Sequence, residues 1–407
     1  MPTSPILLPH HRLDHPGYVD EDGYRGLDFA LAEPDRAQRA LLATTLTGLG
    51  GAHFPLARKL LSALAAAGPR VVVCNAAEDE PGSRKDRALL LRSPHVVLEG
   101  ALIAAVVLDA RAVILYVSAI ADEEHDSVAA AYAEVGDRYP FAEVRIVRAD
   151  PRYVSGEATA VVDAINGGAG KPTGQPPFPT ERGVDGLPTL VANCETLANL
   201  PRIVRAAWAS EPAPLSRLAT VSGDIENPGV YEIDPCTDTF GDLFARAGAL
   251  TGSGQLKAFQ PGGPSTRFLP ADCADILISD TAIRTAGSQP GCLAVRVLAT
   301  STCIVEICEE ITGFFSREQC GQCPPCRMKT QTYHRTLQQV TRQKGGHDLL
   351  EKLSVVEEFV ADMPHKCSLI DMPTPPVDSA RSLFPNDFAA HTEHGSCVHA
   401  QQLTSPQ

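Results

Sequence analysis

Cys320-Gly321-Gln322-Cys323-Pro324-Pro325-Cys326-Arg327 places three thiols at a two-residue spacing, and Cys367 follows 40 intervening residues later in His365-Lys366-Cys367-Ser368. Whatever fold the chain takes, it must bring one tight loop and one distant cysteine together if these residues act jointly. Three thiols at this spacing close on one face of an iron–sulfur cube, and Cys367 supplies the fourth thiolate. A structural zinc site usually pairs two separate C-x-x-C or C/H halves, so the third cysteine in register favours a cluster. The alternative is three plain buried or free thiols.

At 407 residues the chain is long enough for two or three domains with cores that need no staples. A net charge of −14 argues against nucleic acid or an anionic membrane surface as the main partner. Met1–Arg12 has no apolar core of a signal peptide. The most apolar stretch, Val96 to Val117, is interrupted by Glu99, Asp109 and Arg111, so it reads as a buried helix then a strand, not as an integral membrane span. The 12 cysteines are too few for a disulfide scaffold, which predicts reduced thiols and a cytoplasmic protein.

Along the chain, helical patterns (35–46, 56–67, 94–108, 122–135, 156–165) alternate with the strand runs 70–74, 112–117 and 143–147, predicting an α/β layered domain. Residues 167–188 are too rich in glycine and proline for a regular element. Short strands at 220–223, 229–233 and 293–298 around a helix at 240–247 predict a small α+β module, and helices dominate from Val305 onward. The expected division is an α/β domain at 1–215, a small module at 216–300, a cysteine-bearing helical domain at 301–393 and a disordered tail at 394–407. His391, His394, Cys397 and His399 are metal-competent residue types, but they read as part of an unstructured terminus. His95, at a helix start, reads as a capping or packing residue, with contact to a ligand loop as the alternative.

The loop Gly48-Leu49-Gly50-Gly51-Ala52-His53-Phe54-Pro55 precedes a helix carrying Lys59, an arrangement that can cradle phosphate with backbone N–H groups and the helix dipole. It is neither a Walker A loop nor a dinucleotide fingerprint after a strand, and a plain helix–helix turn is the alternative. The acidic loop Asn75-Ala76-Ala77-Glu78-Asp79-Glu80-Pro81-Gly82 follows a strand end, where α/β sheets place ligands; a solvated loop is its alternative.

In order, the glycine loop, the Cys74–Gly82 stretch, Tyr153-x-x-Gly156-Glu157, Pro176-Pro177-Phe178-Pro179, Pro188-Thr189-x-x-x-Asn193-x-Glu195-Thr196 and the cysteine motif resemble one family across roughly residues 23–391. It is the flavin-bearing subunit of complex I, the F subunit of NADH-quinone oxidoreductase, with the related diaphorase subunits of hydrogenases and formate dehydrogenases. The resemblance implies an α/β flavin-binding domain, a ubiquitin-like β-grasp module and a C-terminal helical bundle carrying a [4Fe–4S] cluster. It implies FMN and NAD(H) or NADP(H) as further cofactors. Carried over by position, Gly50, Gly51, Lys59, Asn75, Glu78, Tyr153, Gly156, Glu157, Asn193 and Thr196 match flavin-pocket positions. Phe54, Glu80 and Phe178 match positions around the nicotinamide nucleotide, and Cys320, Cys323, Cys326 and Cys367 match the cluster ligands. No catalytic acid or nucleophile is required, since the protein holds the rings in contact and tunes the flavin.

The implied activity is oxidation of NAD(P)H, with electrons leaving through the cluster to a ferredoxin, a [2Fe–2S] subunit or a quinone-reducing complex. The alternative is an electron-transfer module that keeps the cluster but does not oxidise NAD(P)H. Its support is a set of departures from the family pattern: Leu49 for arginine, His53 for glycine, Ala77 for aspartate, Ala158 for the second glutamate, and Thr173 and Gln175 for cations. Loss of a carboxylate at Ala158 predicts that a 2′-phosphate is tolerated.

Overall fold

Val71, Val72 and Val73 are wholly shielded from solvent, as only a strand covered on both faces requires. In the computed structural model, which describes residues 7–9, 12–213, 215–251, 254–342 and 349–397, they lie in β1 (Arg70–Ala76). With β2 (Ala110–Ser118), β3 (Glu143–Ala149) and β4 (Thr189–Asn193) it forms a parallel sheet ordered β3-β2-β1-β4. Alternate residues point to opposite faces. Val72 and Cys74 join the core under helix Pro94–Leu108, while Val71 and Val73 join a second core with Val161 of helix Ala158–Ile165. The sheet therefore carries helices on both sides, and the α/β layering expected from the strand–helix alternation is present.

β4 has no counterpart in the strand runs of the sequence: it lies beyond the proline-rich stretch and is only five residues long. Its consequence is positional. Asn75 and Asn193 sit opposite each other at the C-terminal ends of β1 and β4, the edge at which open α/β sheets bind ligands.

A close backbone approach holds that edge. A Cβ on Gly100, in helix Pro94–Leu108, would fall 1.9 Å from the Leu197 carbonyl oxygen in helix Cys194–Ala198. Gly100→Ala must push apart two backbones rather than a side chain. We expect it to cost about 3 kcal/mol, at the upper end of overpacking effects, read as a drop in thermal midpoint. Unchanged melting would mean the helices separate freely.

Among the described residues the chain divides into two compact units. The first comprises Met1–Asp79, Ser83–Thr220 and Val230–Cys236; the second comprises Glu80–Gly82, Val221–Gly229 and Thr237–Gln407. β5 (Arg217–Gly223) and β6 (Gly229–Ile233) neighbour each other and fall mostly in the first unit, while β7 (Leu256–Gln260), β8 (Leu269–Pro270) and β9 (Ala294–Ala299) lie in the second, in the order β9-β7-β8. β7 pairs antiparallel with both β8 and β9. Helix Phe240–Ala247 starts on a reciprocal cap between Thr239 and Asp242, and Phe240 packs on Phe259 of β7 with ring centroids 4.7 Å apart.

Helices Ile304–Glu318, Pro324–Arg342, Glu351–Val360, Thr374–Leu383 and Pro385–His394 complete the second unit. The last of these corrects the reading of the terminus: His391 is helical and 2% exposed, with Nε2 3.2 Å from the Cys303 sulfur. Residues 398–407, including His399, lie outside the described residues. No single helix among the described residues is long and apolar enough to cross a membrane.

Candidate functional site

The glycine loop closes as a small hairpin. Thr47 bridges Pro55, the Gly48 amide donates to the Phe54 carbonyl (2.9 Å), and the Leu49 amide donates to the Thr196 hydroxyl (2.8 Å). Gly51 has φ of +107°, and a Cβ there would meet nothing within 4 Å, so the loop leaves open space at its tip. Gly50 is pressed against the Asn193 side chain, where an added Cβ would sit 3.1 Å from Asn193 Cβ. Backbone with positive φ beside an open space is the local form of a phosphate cradle. Helix Leu56–Ala65 follows, and Lys59 on it donates to the Val191 carbonyl in the middle of β4 (3.1 Å), its pKa lowered by burial.

Several carried-over polar side chains prove to be braces. Asn75 donates to the Gly156 carbonyl (2.9 Å) and accepts from the Ala77 amide (3.2 Å). Glu157 caps helix Ala158–Ile165, accepting the amides of Thr159 (2.9 Å) and Ala160 (3.0 Å). Glu78, 7% exposed, does the same for helix Lys85–Arg92, accepting the amides of Asp86 (3.2 Å) and Arg87 (3.1 Å) as well as the Ser83 hydroxyl. Burial first, then the Asp86 charge, raise its pKa to about 7 against the lowering effect of Lys85 and these hydrogen bonds.

Asn75, Asn193, Gly50, Gly156, Lys59 and Thr196 are thus gathered at one end of the sheet, tied through β1, β4 and the glycine loop. Tyr153 lies in the short turn of helix that ends at Gly156. Phe54 and Phe178 are 44% and 48% exposed, unusual for phenylalanine. Glu80 belongs to the second unit, where a Cβ on Gly263 would fall 2.5 Å from its carboxylate. His95 is buried with Nδ1 2.9 Å from the Tyr24 hydroxyl, which settles it as a packing residue.

Sequence reading passes over three residues of this site. Lys85, Asp86 and Glu195 are 1%, 4% and 1% exposed and surround the Asn193 amide. The available signal was a Lys-Asp pair opening a helix directly after the Glu80-Pro81-Gly82 turn, ahead of the apolar run Ala88–Leu91.

Two family departures also find a physical reason. Leu49 is 2% exposed within the apolar core, and His53 has φ of +50° with its ring 8% exposed and Nδ1 3.4 Å from the Thr47 hydroxyl. The backbone there does favour glycine, and the histidine is held by packing.

In the second unit, Gly321 has φ of +83° and turns the chain between Cys320 and Cys323. Helix Pro324–Arg342 then starts at once, with Cys323 supplying its first carbonyl acceptor, to the Arg327 amide at 3.1 Å. Arg327 locks the turn through the Gly321 carbonyl (3.0 Å), and Gln322 Nε2 lies 3.5 Å from the Cys320 sulfur. The Cys326 thiol is pushed up to about 12, by burial first and then by Cys367, Cys323 and Cys320. Cys326 thus feels the charge of the other three, and a thiol set held ionised together needs positive charge. No three His, Cys, Asp or Glu side chains among the described residues converge tightly enough for a single metal ion. A donor set of thiols alone, three of them in register, suits an iron–sulfur group better than one zinc. The partial positive charge at the helix start favours such an anionic group.

With both sites described, comparison with known proteins decides the family. Residues 42–202 match the Nuo51 FMN-binding domain and residues 306–391 match the NADH-ubiquinone oxidoreductase-F iron-sulfur binding region. The F subunit of NADH-quinone oxidoreductase in Mycobacterium bovis is 33% identical over 427 residues, spanning 97% of this chain and 95% of that protein. The chain belongs to the NADH-quinone oxidoreductase F-subunit family. The F 2 subunit of the Rhizobium meliloti enzyme is 32% identical over 93% of this chain and 94% of its own. The crystal structure of an NAD+-reducing [NiFe]-hydrogenase in the air-oxidized state superposes with a TM-score of 0.83 at 29% identity, covering 94% of this chain and 68% of that one. The FMN-domain match encloses the glycine loop and both strand ends, and the iron–sulfur match encloses all four thiols.

Proposed function

We propose that the chain oxidises NAD(P)H on FMN and passes the electrons through a [4Fe–4S] cluster held by Cys320, Cys323, Cys326 and Cys367 to a partner iron–sulfur protein, a ferredoxin or a [2Fe–2S] subunit. The observation that carries this reading is the coexistence of the two sites in one chain of this family. FMN, when bound, accepts two electrons from a nicotinamide and releases them singly.

The residues of the chain do the rest. The Gly50–Gly51 backbone and the Lys59 ammonium receive the FMN phosphate, while Asn75, Asn193, Gly156 and Thr196 hold the loops around it. Phe54 and Phe178 offer exposed ring faces for the nicotinamide nucleotide, with Tyr153, Glu78 and Glu157 completing the surrounding loops of the first unit. We further infer that residues 216–300 are the β-grasp module, residues 301–393 the cluster domain, and that the protein works in the cytoplasm.

Ala158 is the first residue of its helix and packs half-buried against the core with Val161, leaving no carboxylate where the family pattern has a second glutamate. NADPH is therefore expected to support turnover comparable to NADH. Ala158→Glu should restore a preference for NADH of about tenfold in kcat/KM, the worth of one repulsive charge contact. Strict NADH use by the wild-type chain would overturn the nucleotide assignment.

An anaerobic visible spectrum, taken before and after NADH and then NADPH, tests the whole reading. Flavin bleaching with cluster reduction is the expected result. A cluster spectrum indifferent to both nucleotides would favour the electron-transfer module instead.

A further inference from the structure

The Asn193 amide is held by the protein on every side. Its Nδ2 donates to the Asp86 carboxylate (2.6 Å) and the Asn75 carbonyl (3.3 Å); its Oδ1 accepts from Lys85 Nζ (3.1 Å) and the Glu195 amide (3.1 Å). Two acceptors face one end and two donors the other, so only one orientation of the amide fits. Lys85 Nζ also contacts the carboxylates of Asp86 and Glu195, the latter at 2.9 Å, which uses all three of its protons. The second Glu195 oxygen accepts the Leu218 amide (2.7 Å). Burial would lower the Lys85 pKa, but Asp86 and Glu195 outweigh it and hold the group charged.

We propose that Lys85 is a positioning residue for the FMN pocket: with Asp86 and Glu195 its buried ammonium fixes the Asn193 amide, and through it seats the Gly50–Gly51 loop. This rests on the FMN reading above and deepens it. A buried ion group seldom stabilises a fold better than apolar residues of the same volume, so stability alone is a poor reason for a charged lysine here. The route to the ligand loop is direct, because Gly50 lies against the Asn193 side chain with room for no Cβ without displacement. Without Lys85, Asn193 Oδ1 keeps one donor, and two carboxylates face each other across the vacated space. The amide then turns and the loop loses its seat.

The test uses the full chain with its cluster, stripped of FMN and retitrated, reading flavin fluorescence quenching and then the flavin midpoint potential. Lys85→Met should weaken FMN binding about 10- to 100-fold, as loss of an outer-shell orienting group does at other sites. It should also lower the flavin potential, since a nearby cation is removed. Lys85→Arg should recover part of both. Asn193→Leu should weaken binding similarly, and the double variant should be no worse than either single, because both act through one contact.

A far-ultraviolet circular dichroism spectrum of the FMN-free chain matching the wild type's reports that each variant has folded, the first unit included. Wild-type affinity and potential in Lys85→Met, or fully additive losses in the double variant, overturn the proposal. Should Lys85→Met not accumulate, Asn193→Leu decides alone: the same loss supports the proposal and unaltered binding overturns it. A wild-type chain that takes up no FMN overturns the FMN reading and this inference with it, a result distinct from indifferent variants of an FMN-binding chain.

Discussion

Cys326→Ser is expected to empty the iron–sulfur site while leaving the flavin site intact. Cys326 is 8% exposed, the most buried of the four thiols, and sits in the first turn of helix Pro324–Arg342, where Thr330 donates back to its carbonyl at 2.9 Å. Its position is set by the helix and cannot adjust. A serine hydroxyl there is a poor ligand for iron and remains protonated in a buried place. Iron content should fall to background, and electron delivery to a one-electron acceptor should drop roughly a hundredfold or more, beyond the effect of losing an outer-shell partner. Bleaching of the flavin by NAD(P)H should persist, because the residues that hold the flavin lie in the other compact unit. Retention of four irons per chain would show that another residue completes the site. Loss of flavin reduction alongside the iron would show that the two sites are not separable.

The cysteine motif is conspicuous in the sequence because Cys320, Cys323 and Cys326 are one residue type at a two-residue spacing, with Gly321 supplying the turn that the spacing needs. The parallel sheet was legible in its three long strands: β1 and β2 are buried apolar runs such as Val71–Val73, and β3 carries Val144, Ile146 and Val147 at only partly buried positions. β4 was hidden by its length and by the proline stretch before it, although it carries Asn193 into the site. The roles of the acidic residues were least legible. Glu78 and Glu157 match flavin-pocket positions by motif, yet each carboxylate is occupied by the amides that open a helix. A helix cap that acts across a loop leaves no signature at its own position. Lys85 escaped for the converse reason: a charged residue in the first turn of a short helix reads as solvated surface, and only the fold reveals the two carboxylates and the amide that enclose it.

Glu78 gives the second large effect, through pH. In the unfolded chain its carboxyl titrates near the ordinary value of about 4.3; in the folded chain, burial and the neighbouring Asp86 raise it to about 7. Between those values the folded state binds the proton that the unfolded state has released. Its contribution to stability is thus fully present below the lower value and is lost as pH rises through about 7. The whole shift corresponds to roughly 4 kcal/mol, or about 8–16 °C in the midpoint of a unit of some 200 residues. Glu78→Gln removes the titration. At pH 5 the folded wild type holds Glu78 as a neutral carboxyl, which the Gln amide resembles in shape and in its single carbonyl acceptor, so the two proteins should differ there by no more than about 1 kcal/mol. At pH 8 the wild type has lost its proton-linked stability and the variant has not, so the difference should move in favour of Gln by about 3 kcal/mol. Thermal midpoints of both proteins from pH 5 to 8 measure this directly, because titrations common to the two cancel in the difference. Parallel curves would mean that the Glu78 carboxyl titrates alike in folded and unfolded chains, and that Lys85 and the helix amides compensate its burial fully.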